Sequence, residues 1–192
     1  MLFRISQRIV SVWSNEQIIP NGCEEAYIYG VQLLLSTVLN VLCIAVISFF
    51  AGKPFAWIPF LVGFVPIRIT AGGFHAKTPF RCFSFFCVLY SACMLLLNVV
   101  NDNLTIPWII INSLIAMLVV YMYSPLPAAN KPLSVAEMEH KRMLSFTMVA
   151  LLLLLKIMIL TCYKVAMDMV LYLSLGEMLA STFCVIAKYF KE

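Results

Sequence analysis

Residues 31–51 form a run of 21 amino acids without a single charge. At ~1.5 Å rise per residue, a helix of that length crosses the roughly 30 Å hydrocarbon layer of a bilayer. The pattern recurs: residues 83–100, 104–123, 143–162 and 165–188 read as further apolar spans. One more run, residues 54–67, has only 14 residues and contains Pro54, Pro59 and Pro66. By length alone it could be a re-entrant segment instead of a span. With 63% hydrophobic and 11% charged residues and a mean hydropathy of +0.98, the 192 residues are spent on membrane helices, not on a soluble core. The expected fold is one all-α polytopic membrane domain over residues 1–192, with about six transmembrane helices.

Charge bias decides whether the short run crosses. If all six segments cross with the N-terminus inside, the inner side holds Arg4, Arg8, Arg68, Lys77, Arg81, Lys131, Lys141, Arg142, Lys188 and Lys191, against Lys53 and Lys164 outside. That is 10 against 2, with Lys156 inside a span. If residues 54–67 did not cross, every later loop would flip, leaving 3 inside against 9 outside. The positive-inside rule favours six crossings with both termini cytoplasmic.

Ahead of the first span, Leu2, Ile5, Ile9, Val12 and Trp13 recur at helical spacing opposite Arg4, Gln7, Arg8 and Ser11. Residues 1–20 thus read as an amphipathic helix. It either lies in the membrane interface or packs on the protein's own cytoplasmic face. No continuous apolar core with a small-residue cleavage site follows Arg4 and Arg8, so no signal peptide is expected. Asn21 with Glu24 resembles a capping box for the next helix. The polar loop at residues 124–142 has Pro125, Pro127 and Pro132 to keep its first half extended.

The polar break at residues 68–82 is the place where chemistry concentrates. It contains Arg68, Gly72, Gly73, His75, Lys77, Thr78, Pro79, Arg81 and Cys82. Thr78-Pro79 reads as a helix start, because Thr caps with its hydroxyl and Pro suits the first helical position. Cys82 then sits in the first turn, where free amides, the helix dipole and nearby cations favour a thiolate. A continuous helix would hold His75 about 10 Å from Cys82, too far for proton transfer. The Gly72-Gly73 pair and Pro79 argue against that, and a loop folding His75 back would make a Cys–His nucleophile pair. The plainer alternative is a cytoplasmic loop with chance polar residues.

The other six cysteines, Cys23, Cys43, Cys87, Cys93, Cys162 and Cys184, form no disulfide or zinc pattern. No phosphate loop, dinucleotide fingerprint or HExxH motif is present, and no cofactor or metal is expected. The +4 net charge suits anionic headgroups, not nucleic acid. Lys156, Asp168 and Glu177 fall inside the last two spans, where charge is costly. Counted along the helices, either acid is within reach of the lysine. They form a structural pair or line a polar, substrate-facing cavity. His140, beside Lys141 and Arg142, reads as a solvated loop residue.

Two blocks carry a family resemblance. The run Arg68…Ala71-Gly72-Gly73-Phe74-His75-Ala76-Lys77-Thr78…Arg81-Cys82 resembles the signature of the AgrB family, the accessory gene regulator membrane peptidases. Ser124-Pro125-Leu126-Pro127…Asn130-Lys131-Pro132-Leu133…Glu137 is similar to the loop those proteins carry further on. The resemblance implies a multi-pass protein of the bacterial cytoplasmic membrane with His75 and Cys82 catalytic. It further implies a short AgrD-like pre-peptide as substrate, cleaved through a thioester and closed to a cyclic quorum-sensing signal. Gly72 and Gly73 are then candidates for oxyanion or loop support. Arg68, Lys77, Arg81 and Lys131 are candidates for substrate or electrostatic support. The lipid bilayer is the other partner, and a homodimer is compatible with this reading. The competing class is a non-catalytic transporter or channel that uses Lys156, Asp168 and Glu177.

Overall fold

The computed structural model describes residues 2–20, 22–73, 79–97, 102–126, 134–162 and 167–189, without the side chains of residues 79, 80, 96 and 102–105. Among them are seven helices and no strand: α1 (Leu2–Asn15), α2 (Glu24–Phe50), α3 (Trp57–Ala71), α4 (Pro79–Leu97), α5 (Asp102–Tyr123), α6 (Val135–Cys162) and α7 (Met167–Tyr189). Four of them, α2, α5, α6 and α7, are long and apolar enough to cross a membrane, while α3 and the described part of α4 are shorter apolar helices. The outward faces are what a lipid solvent asks for: Leu34, Phe50, Ile69, Val88, Leu95 and Leu154 are all more than half exposed.

Side-chain pairs fix the directions of the helices. Cys43 meets Cys87 with the sulfurs 2.8 Å apart, and Ser48 bonds Tyr90, so α2 and α4 run parallel. Phe60 packs edge-to-face on Tyr90 at 4.7 Å and Phe64 lies 5.2 Å from Phe86, so α3 runs against α4. Ser113 of α5 and Ser124, just after it, bond Lys156 and Ser145 of α6, which makes α5 and α6 antiparallel. Asn112 bonds Ser174, and Tyr123 lies near Tyr189, so α5 and α7 are parallel. Lys53, just before α3, meets Asp168 in the first turn of α7, and Arg68 near the end of α3 lies on Phe183 of α7, so α3 and α7 are parallel and helices α2 to α7 alternate in direction.

The short helix α3 is at the centre of the bundle, packed on α7 and α6. Two glycines bring α3 and α7 together. A Cβ on Gly63 would run into the Leu173 carbonyl, and one on Gly176 into the Phe60 carbonyl. Small residues at matched positions let helix backbones approach in this way, giving the packing that lipid tails do not supply. Around the seam gather Phe60, Phe64, Phe86, Tyr90 and Phe183, all buried. At one end of the seam Lys53, in the turn after α2, pairs with Asp168 of α7 at 3.0 Å. That hydrogen bond, together with the charges of Tyr172 and Asp168, raises the lysine's pKa above its ordinary value.

Three sequence expectations change. Helix α6 begins at Val135, so the polar loop is shorter than residues 124–142. The capping box responsible is Ser134 with Glu137: the Ser134 amide and hydroxyl both donate to the carboxylate at 2.8 Å. Helix α2 follows Cys23 as its N-cap, not Asn21, which lies outside the described residues. Glu24 accepts instead from the Ser14 hydroxyl at 3.3 Å. Arg68 to Ala71, read as part of a polar break, form the last turn of α3. Helix α1 packs on α2 with Ser6 and Val10 buried, so part of its apolar side faces the protein itself.

Candidate active site

Helix α3 stops where glycine permits a reversal. Gly72 has φ 79° and Gly73 φ 135°, conformations that strain any residue with a Cβ. Crowding adds a second reason. A Cβ on Gly72 would sit 2.7 Å from the Leu126 carbonyl oxygen, and one on Gly73 would collide with the Arg68 guanidinium. The Leu126 amide in turn donates to the Ala71 carbonyl at 3.0 Å. That bond satisfies one of the orphan carbonyls at the end of α3. The two sequence blocks, about fifty residues apart in the chain, are thus in direct contact here.

Helix α4 is described from Pro79, a residue suited to a helix start because it needs no amide hydrogen bond there, while the expected cap Thr78 lies outside the described residues. Cys82 is the fourth residue of α4, in its first turn, and is half-buried as a free thiol. Arg68 of α3 reaches toward it. Its guanidinium lies against Gly73 and stacks 5.3 Å from the centre of the Phe183 ring. A cation held on an aromatic face keeps its orientation as well as its charge. Arg81 points to the exposed side of the first turn of α4. His75, Lys77, Thr78 and Lys131 lie outside the described residues. The structure thus brings Arg68, Gly72, Gly73 and Cys82 to one end of the bundle.

Sequence reasoning missed the residues that hold this end together. Arg142 of α6 donates through Nε to the Ser124 carbonyl at 3.0 Å, and the Ser124 hydroxyl meets Ser145 at 3.1 Å. Phe183 and Cys184 were read only as parts of an apolar span. The one signal available was the Ser124-Pro125-Leu126-Pro127 block itself, whose contact with Gly72 no spacing reveals.

The three intramembrane charges do not line one path. Lys156 and Glu177 form an ion pair with both side chains fully buried. Ser113 bonds each of them, and Asn112 reaches Glu177 Oε2 at 3.4 Å and the Ser174 hydroxyl at 3.0 Å. Asp168 instead belongs with Lys53 at the opposite end from Cys82. Of the two partners that sequence counting left open for Lys156, the structure selects Glu177. Among the described residues no three His, Cys, Asp or Glu side chains gather as a metal site.

Residues 6–186 match the profile of the family described as Accessory gene regulator B. A curated relative, Protein FsrB of Enterococcus faecalis, is 30% identical over 128 residues, covering 66% of this chain. The match spans 52% of that relative, so the chain accounts for about half its length. No solved structure matches the chain.

Proposed function

The chain belongs to the accessory gene regulator B family, and from that footing we propose that it is a membrane cysteine endopeptidase. Its substrate is a short AgrD-like pre-peptide, whose C-terminal tail it removes on the way to a cyclic quorum-sensing signal. The observation that carries this reading is the setting of Cys82: the first turn of α4, at the end of the bundle where Arg68, Gly72 and Gly73 gather. A cysteine near a helix start, with an unhindered approach for a peptide carbonyl, is suited to act as a nucleophile.

In the proposed reaction the Cys82 thiol gives its proton to His75, and the sulfur attacks a backbone carbonyl of the peptide. The bond to the tail breaks, and its nitrogen leaves with the proton from His75. The remaining thioester is attacked by a thiol or hydroxyl within the peptide, which closes a thiolactone or lactone and frees Cys82. Amides at Gly72-Gly73 or at the start of α4 are candidates to hold the oxyanion.

Water must be kept from the thioester, and the length of α3 bears on that. Its 15 residues reach about 22 Å at 1.5 Å per residue, short of the roughly 30 Å apolar layer. With six crossings and both termini in the cytoplasm, that shortfall lets the Gly72-Gly73 elbow dip into the cytoplasmic headgroup layer of the bacterial membrane, where water is scarcer. The alternating helix directions support six crossings, because the Lys53–Asp168 pair requires the ends of α2 and α6 to share a side.

Peptide cleavage in sealed vesicles tests the proposal. Cys82→Ala and His75→Ala are each expected to abolish cleavage at unchanged protein level, while Cys87→Ala and Cys93→Ala retain most of it. Full cleavage by a stably expressed Cys82→Ala variant would overturn the enzyme reading. Movement of an intact peptide across the membrane would favour a transporter.

A further inference from the structure

Arg142 takes no part in any chemistry described above, yet it begins a chain of contacts that ends beside Cys82. Its Nε–H donates to the Ser124 carbonyl at 3.0 Å. Ser124 is almost fully buried, and its hydroxyl is bonded to Ser145 of the same helix as Arg142. The segment from Ser124 to Leu126 is therefore fastened to α6 at two points. Two residues further, the Leu126 amide donates to the Ala71 carbonyl at 3.0 Å. The Leu126 carbonyl presses on Gly72 so closely that a Cβ there would sit 2.7 Å from it. Gly73, next in line, is backed by the Arg68 guanidinium, at the end of the bundle where α4 carries Cys82 in its first turn.

Nothing else among the described contacts braces the elbow from the α5–α6 side. Helix α3 below it is fixed by the glycine seam with α7, but residues 72 and 73 have left the helix. Gly72 is bounded by Leu126, and Gly73 by the Arg68 guanidinium and the Phe183 backbone. Glycine adopts these angles without strain but has many others open to it, so one conformation is kept only where neighbours hold it.

We propose that Arg142 is a positioning residue: by holding Ser124–Leu126 against Ala71 and Gly72, it fixes the elbow from which the chain passes through His75 to Cys82. This rests on the peptidase reading of Cys82 and assigns Arg142 no contact with substrate. The guanidinium suits the task because its planar N–H groups lock one orientation, whereas a lysine ammonium on a flexible stem does not.

Single-turnover cleavage of a synthetic pre-peptide by the full-length protein in liposomes tests it, with Arg142→Lys, Arg142→Gln, Gly72→Ala and the double variant Arg142→Gln/Gly72→Ala. Misplacing a catalytic group by about 1 Å can cost on the order of 100-fold in rate. Arg142→Gln should therefore lower the rate of acylation about tenfold or more, with half-saturation within about twofold of wild type. Arg142→Lys keeps the charge and is expected to recover little. The double variant should be no slower than Gly72→Ala alone, because both lesions act through one contact. A raised half-saturation with an unchanged rate would overturn the proposal and make Arg142 a binding residue for the peptide. Full activity of Arg142→Lys, or strictly multiplicative losses in the double variant, would overturn it as well. Cys82→Ala is run beside these variants: activity there defeats the peptidase reading, whereas its inactivity with a fully active Arg142→Gln defeats the positioning role alone.

Discussion

Lys156 of α6 and Glu177 of α7 meet as an ion pair with neither side chain reaching the surface, and Ser113 of α5 bonds both. Three helices are joined at that point. Removing one partner leaves a buried charge without compensation, which costs about 3–5 kcal/mol in comparable settings. Lys156→Met is thus expected to destabilise the bundle by about that amount. Lys156→Met/Glu177→Gln should recover much of the loss, and Lys156→Met/Asp168→Asn should recover none. Unfolding in detergent micelles measures all three. A double variant with Asp168 that outperformed the one with Glu177 would contradict the assigned pairing.

The glycine seam makes a second demand. Gly63→Ala and Gly176→Ala would each push a methyl group into a backbone carbonyl of the facing helix. Backbone yields less readily than a side-chain tip, and overpacking of this kind costs typically about 1–3 kcal/mol. Both variants should lower the unfolding midpoint, while Gly30→Ala, where the added methyl meets nothing within 4 Å, should not. Equal midpoints for all three would show that α3 and α7 are not in close contact.

The apolar helices and their order were legible because hydropathy is a local property, and four of them are long enough to cross a membrane. Sequence counting placed Asp168 and Glu177 both within reach of Lys156, since depth along a helix says nothing about which side a residue faces. Packing decides that, and it turned Glu177 toward α6 and Asp168 toward Lys53. The start of α6 was misjudged for a different reason. Ser134-Val135-Ala136-Glu137 is a capping box in plain view, but the prolines before it and the charges after it read as loop. The bracing of Gly72 by Leu126 could not be seen at all, because it joins segments far apart in the chain through backbone atoms.

Topology has its own test. With six crossings, residue 103 lies outside and residue 134 inside. Single cysteines placed as Asn103→Cys and Ser134→Cys, in a background without reactive native thiols, report the two sides. An impermeant thiol reagent added to intact cells should label the first at once and the second only after permeabilisation. Labelling of the residue 134 site in intact cells would contradict the topology, and with it the cytoplasmic position of Cys82.

The central claim is that Cys82 carries the acyl group. Purified full-length protein is mixed with a synthetic pre-peptide, quenched in acid within the first turnover and digested for mass spectrometry. The account predicts an adduct of the N-terminal part of the substrate on the peptide that contains Cys82. The adduct should be released by hydroxylamine and absent from Cys82→Ala. An adduct on Cys87 or Cys93 instead, or complete cleavage by Cys82→Ala with no adduct anywhere, would contradict it.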